Sequence, residues 1–186
     1  MVKRMTSKEI LADSLSELLA AKPFEKITVT EITANCGIAK RTFYYYFRDK
    51  YELALWMYIH QLDAYYEENP QEISFRSLVT HCANVLWKDR FLIQNVLQYS
   101  GQNNLVHSVY EPLIKRYLYL IKECYGDEIT DTIRDAVTFY VGGMISYAEH
   151  GLAEREPPTP EKGVATFEVC IPRVLEKYLY NDPPVK

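Results

Sequence analysis

What this sequence lacks narrows its function before any motif is read. It has seven glycines in 186 residues and no stretch of strand-like alternation, so it offers few places for a chain of hairpins to turn. No apolar run approaches the length of a membrane span, and no apolar segment follows the basic pair Lys3-Arg4. The reading is a cytoplasmic chain with no signal peptide and no membrane partner. The four cysteines, Cys36, Cys82, Cys124 and Cys170, are far apart and form no C-x-x-C pair. That argues against a disulfide framework and a zinc site, and for reduced, mostly buried thiols. There is no P-loop, no G-x-G-x-x-G, no H-E-x-x-H and no G-x-S-x-G. His81 and Cys82 are neighbours, and on a helix they point about 100° apart, so they form neither a metal nor a catalytic pair. The expectation is a protein that is not an enzyme and uses no cofactor or metal.

What is present is helical pattern, giving an all-α fold. Thr6-x-x-Glu9 is a capping-box sequence, and Ile10, Ala12, Leu15, Leu18 and Leu19 follow at helical spacing until Pro23. A second T-x-x-E starts at Thr28 and opens a short helix that Gly37 ends. Lys40 to Phe47 is another short helix, and the next runs from Asp49 to about Glu67, before Pro70. Further helices are expected over about 74–89, 91–100, 105–125, 130–153 and 161–180. Pro172 should kink or divide the last, because proline lacks an N–H and clashes with the preceding turn.

The charge is unevenly placed. Residues 1–51 hold nine Lys/Arg against six Asp/Glu; residues 52–186 hold twelve against nineteen. A basic head on an acidic body can hold phosphates at one end only. The division expected is therefore a head over 1–51 and a helical body over 52–186. Within the head, two short helices meet at Gly37, where a tight turn favours a residue free to take positive φ. Val29, Ile32, Cys36, Ile38, Phe43 and Phe47 fall where these helices face each other and the first. Arg41, Tyr44, Tyr45 and Arg48 fall on the opposite side, with Lys40 and Thr42 at the N-terminal edge. Guanidinium and ammonium donors beside three consecutive tyrosines suit a recognition helix better than plain solvation.

The stretch Thr28-Val29-x-x-Ile32, Gly37-Ile38, Thr42-Phe43-Tyr44-x-Tyr46-Phe47 and Lys50-x-x-Leu53 resembles the N-terminal signature of TetR/AcrR regulators. The resemblance covers about 45 residues. It implies that Thr28 caps its helix near a phosphate, that Lys40, Arg41 and Thr42 enter the major groove, and that Tyr44 lies on a base or the backbone. Tyr45 and Tyr46 would meet phosphates. Lys50 would bind another, helped by the free N–H groups of its helix's first turn. Thr33 stands where the family usually has alanine, so a slightly wider helix crossing is expected. Ala39 stands where many members have serine and cannot cap the recognition helix through its side chain.

The resemblance also implies a three-helix helix-turn-helix head joined to a helical effector and dimerisation body. The function it implies is a sequence-specific transcriptional regulator, by family default a repressor, bound as a homodimer to a near-palindromic double-stranded operator and released by a small-molecule effector. Control by a protein partner is the alternative, as is a helical interaction module without DNA binding. The run Leu53-Ala54-Leu55-Trp56 resembles a subgroup that includes dihydroxyacetone-utilisation regulators. For the dimer, Ile133–Leu152 carries Gly142-Gly143, a pair tolerable where another backbone comes close. Val164, Phe167, Ile171, Leu175 and Tyr178 offer a second stripe. For the effector, Trp56, His60, His81, Tyr110 and Tyr140 are the candidate ligand-binding residues, since rings with polar tips suit a mixed cavity.

Overall fold

A computed structural model describes residues 5–68, 73–90, 92–93, 105–154, 156–181 and 183. Among them there are nine α-helices and no strand. The chain divides into two compact units, Met1–Tyr58 and Ile59–Lys186.

The first unit holds α1 (Ser7–Ala21), α2 (Val29–Cys36), α3 (Lys40–Tyr46) and the start of α4 (Lys50–Glu68). Both capping boxes form. Thr6 and Glu9 exchange bonds at the start of α1, and Thr28 and Glu31 do so at the start of α2. Gly37 closes α2 at φ +70°, the left-handed conformation that spares the turn a Cβ clash. Leu11, Leu15, Ile32, Phe43, Phe47 and Leu53 make the core, while Val29, Cys36 and Ile38 are half-buried. Thr33 is buried, and its hydroxyl bonds back to the carbonyls of Val29 and Thr30 within α2. The buried Ser14 hydroxyl of α1 donates to the Ile32 carbonyl at 2.7 Å and accepts from the Asn35 amide at 3.1 Å, stitching α2 to α1. This unit extends past residue 51 because the first turns of α4 pack on it. Tyr51 meets Phe24 edge-on at 5.1 Å, and Trp56 meets Phe47 at 5.9 Å.

The second unit holds α5 (Phe75–Lys88), α6 (Leu105–Tyr119), α7 (Asp131–Ala153), α8 (Pro160–Val169) and α9 (Glu176–Tyr180). The last turn of the expected 105–125 helix is a π-turn over Leu120–Cys124. Pro172 divides the C-terminal helix: α8 ends at Val169, and a 3₁₀ turn, Arg173–Leu175, leads into α9. The expected 91–100 helix lies outside the described residues except for Leu92 and Ile93. The core gathers Phe75, Tyr117, Tyr140 and Tyr178, with Phe75 4.7 Å from Tyr117 and 6.2 Å from Tyr178. Tyr125 anchors the C-terminal end. Its hydroxyl accepts from the Phe75 N–H at 3.2 Å and faces the carbonyls of Tyr178 at 2.8 Å and Asn181 at 3.1 Å.

Candidate nucleic-acid interface

The head presents its second short helix, α3, by burying one edge of it. Phe43 and Phe47 are four apart, nearly inaccessible and 5.8 Å apart ring to ring. That fixes the opposite edge outward. Tyr44 is 58% exposed and Tyr45 80% exposed, and Lys40 and Arg41 are exposed beside them. Neither Lys40 nor Arg41 has an ion-pair partner among the described residues, so their donors remain in water, ready to exchange it for base edges or phosphates. Thr42 and Tyr46 are half-buried. Ala39 provides no side-chain cap; its carbonyl accepts from the N–H groups of Thr42 and Phe43 at 2.9 and 3.2 Å. Arg48 is exposed just past the helix, 3.9 Å from Asp49.

Two expected phosphate contacts are used differently. The Thr28 hydroxyl donates to Glu31 at 2.9 Å and accepts from the Glu31 N–H at 3.2 Å, so its one O–H is committed to the capping box. The Lys50 ammonium points into the head, bonded to the carbonyls of Phe24, Glu25 and Ile27. Two first-turn N–H groups of α4 are also occupied: Tyr51 and Glu52 both donate to the Asp49 carboxylate at 2.9 Å. Glu31 is further held by Lys22 at 2.5 Å, and this contact, with Thr28, lowers its carboxyl pKa to about 2.

Sequence reasoning missed Lys8. Its ammonium, in the first turn of α1, lies 5.7 Å from the rings of Tyr46 and Phe47 and 5.8 Å from that of Trp56. The three rings come from two other helices, and no local pattern announces such a cage.

None of the five candidate ligand residues lines the described clefts. Trp56 belongs to the head, packed on Phe47. His60 lies on α4 in the second unit. His81 stacks on Tyr65 at 4.0 Å and its Nε2 is buried without a hydrogen-bond partner among the described residues; burial lowers its pKa and favours the neutral ring. The Tyr110 hydroxyl donates to the Thr138 carbonyl at 3.1 Å and its ring packs on Gly142. Tyr140 is buried and donates to the Phe167 carbonyl at 3.0 Å; burial pushes its hydroxyl pKa well up. A roomy cleft of the second unit has other walls. A space of about 430 Å³ is lined by Ile59, Leu62 and Asp63 of α4 and by Pro112, Leu113, Lys115, Arg116 and Tyr119 of α6. It shares Asp63, Arg116 and Tyr119 with a space of about 330 Å³ that reaches Tyr66, Glu67, Ile73 and Leu120. Asp63 and Arg116 form an ion pair, with the guanidinium 5.6 Å over the Tyr66 ring.

Residues 11–56 match the model of the bacterial regulatory proteins of the tetR family. No curated protein matches the sequence significantly. Among solved structures the chain is similar to the dihydroxyacetone kinase operon activator DhaS, with 13% identity and a TM-score of 0.61 over 94% of this chain and 97% of that one. It is similar also to AlkX, a TetR family repressor from Dietzia sp. strain DQ12-45-1b implicated in biodegradation of n-alkanes. There the identity is 16% and the TM-score 0.61, over 95% of this chain and 98% of that one. At such identities the likeness to these two is one of fold. The outward edge of α3 lies within the residues that match the tetR family model, so the head is a TetR-type helix-turn-helix, and the chain shares its fold with these two regulators along nearly its whole length.

Proposed function

We propose that the protein is a homodimeric repressor that reads a near-palindromic operator and is released by a small-molecule effector. The observation that carries the operator reading is the division of labour on α3. Phe43 and Phe47 serve the fold, and Lys40, Arg41, Tyr44 and Tyr45 are left exposed. Arg41 is assigned to base edges with Lys40 and Thr42 beside it; Tyr44, Tyr45 and Tyr46 are assigned to the backbone or bases. Selecting duplexes from a random library with the purified protein, then footprinting the winner, tests this. A pair of half-sites one helical turn apart is expected; recovery of no preferred sequence would refute it.

The homodimer is supported by the outer faces of α7 and α8. Phe139 is 78% exposed and Val169 85% exposed, and Gly143 faces open space. Large apolar groups left in water on two adjacent helices mark an interface. Repression follows the family default and is tested by transcription from the selected operator with and without the protein.

The effector site is assigned to the cleft between α4 and α6. Its α4 wall contributes Asp63 and Glu67, and its α6 wall Lys115 and Arg116, over an apolar base of Ile59, Leu62 and Leu113. A small molecule that separates Asp63 from Arg116 acts on α4, the same helix that carries Lys50. It can weaken DNA binding only by its differential affinity for the two states, typically about 1–3 kcal/mol. Thermal-shift screening of small metabolites on wild type and Arg116→Met tests the assignment. Ligands that stabilise both proteins equally would move the site elsewhere, and a protein partner would then become the better candidate.

A further inference from the structure

The resemblance gives Lys50 a phosphate, but the structure gives its ammonium a different set of partners. Nζ lies 2.7 Å from the Phe24 carbonyl oxygen, 3.1 Å from that of Glu25 and 2.7 Å from that of Ile27. An ammonium has three N–H donors and no acceptor, so all three are engaged. The Phe24 ring, 4.6 Å from Nζ, and the Tyr51 ring, 5.3 Å away, cover the cation further. Reaching a phosphate would break at least one of these charge-assisted bonds. The adjoining helix end offers no compensation, because the Asp49 carboxylate already takes two of its N–H groups and would repel a phosphate.

The bonds themselves have a consequence for the recognition helix. Ile27 immediately precedes Thr28, the N-cap of α2. The first turn of α2 is held as well, by Lys22 at the C-cap of α1 through Glu31. Two lysines, one at the end of α1 and one at the start of α4, therefore fix where α2 starts, and α3 follows α2 through the tight Gly37 turn. We infer that Lys50 supports DNA binding as a positioning residue, tying the 24–27 turn to the start of α4, and does not bind phosphate. This rests on the operator reading above.

The test uses a duplex selected by the wild-type dimer and salt titrations between about 50 and about 200 mM. Lys50→Met keeps the aliphatic stem and removes the ammonium. Affinity should fall roughly tenfold at every salt concentration, equivalent to about 1.4 kcal/mol, with the slope of log K against log salt unchanged. Lys40→Met, which loses a cation exposed on the recognition helix, should flatten that slope by about 0.9. Circular dichroism fixes a temperature at which Lys50→Met is folded, so that the loss is not one of folded protein. A slope that flattens as in Lys40→Met, or an affinity equal to wild type, overturns the inference. Should Lys50→Met not fold, nitrogen-15 NMR of the wild-type lysine ammonium groups decides. The Lys50 signal should be visible in the free protein and unmoved by DNA; a shift or a coupling to phosphorus overturns the role. A wild type that selects no duplex overturns the operator reading and this role together, whereas the preceding outcomes overturn the role alone.

Discussion

The adjacent glycines of α7 separate an internal packing requirement from an external one, and substituting each in turn should show it. A Cβ at Gly142 would lie 3.3 Å from both Cε2 and the hydroxyl oxygen of Tyr110; a Cβ at Gly143 meets nothing within 4 Å. Replacing a mid-helix glycine by alanine gains about 1 kcal/mol of helix propensity. At 143 nothing opposes that gain, so Gly143→Ala should raise the stability of the dissociated chain by roughly 0.5–1 kcal/mol. At 142 the Tyr110 ring must retreat by a few tenths of an ångström. The ring is pinned by its 3.1 Å bond to the Thr138 carbonyl. Losing that bond costs about 1–3 kcal/mol, so Gly142→Ala should lie between neutral and about 2 kcal/mol destabilised once propensity is credited. Gly143→Leu should keep helix content but sediment as a monomer, because it places bulk on the face assigned to the partner. The assays are urea unfolding at two protein concentrations and sedimentation velocity. If Gly142→Ala proves as stabilising as Gly143→Ala, the Tyr110 contact is not restrictive. If Gly143→Leu dimerises like wild type, α7 does not meet its partner at this position.

Other expectations follow from the same geometry. Arg41→Ala should cost roughly 1–3 kcal/mol on the selected operator and relax one position per half-site; an equal loss on all sequences would make it a backbone contact. Glu31 titrates at about 2 in the folded head against an ordinary 4.5. A lowered folded-state pKa gives stability that is present above about 4.5 and lost as pH falls toward about 2. Acid titration of a Trp87→Phe background, read by Trp56 fluorescence, should show that loss, and Glu31→Gln should remove its share of the pH dependence. Tyr125→Phe deprives the Phe75 N–H of its acceptor and should lower stability by about 1–3 kcal/mol in thermal unfolding; an unchanged melting temperature would show that water replaces the hydroxyl.

The parts of this molecule legible in its sequence were those set by local chemistry. Thr6, Thr28 and Gly37 act within four residues of themselves, and the structure places α1, α2 and the turn where they indicated. Pro172 divided its helix because a missing N–H is a local fact. Side-chain direction over long separations was not legible. A lysine at the right place in a motif reads as a phosphate contact, yet the three carbonyls that take Lys50 lie 23 to 26 residues earlier. Tyr110 and Tyr140 read equally well as cavity walls or as core, and which occurs depends on carbonyls 27 or 28 residues away. The π-turn at Leu120–Cys124 keeps the apolar rhythm of an α-helix, so periodicity did not reveal it.

The way α3 is held bears on how such a regulator could diverge. The two phenylalanines that seat the helix and the four exposed side chains beside them are interleaved in sequence but nearly independent in energy: Lys40, Arg41 and Tyr45 are exposed away from the core, and Tyr44 adds one edge-on contact to Phe43 at 5.4 Å. Mutations at Lys40, Arg41 and Tyr45 therefore leave the folding of the head almost untouched, as surface substitutions generally do, and one at Tyr44 costs no more than its edge-on contact, about 0.5–1.5 kcal/mol. A duplicated copy of the gene could explore new operators one residue at a time without passing through unstable intermediates. Phe43 and Phe47 enjoy no such freedom: a cavity left by either would cost about 3–5 kcal/mol, a large part of a small unit's stability. Target choice can drift while the scaffold stays fixed.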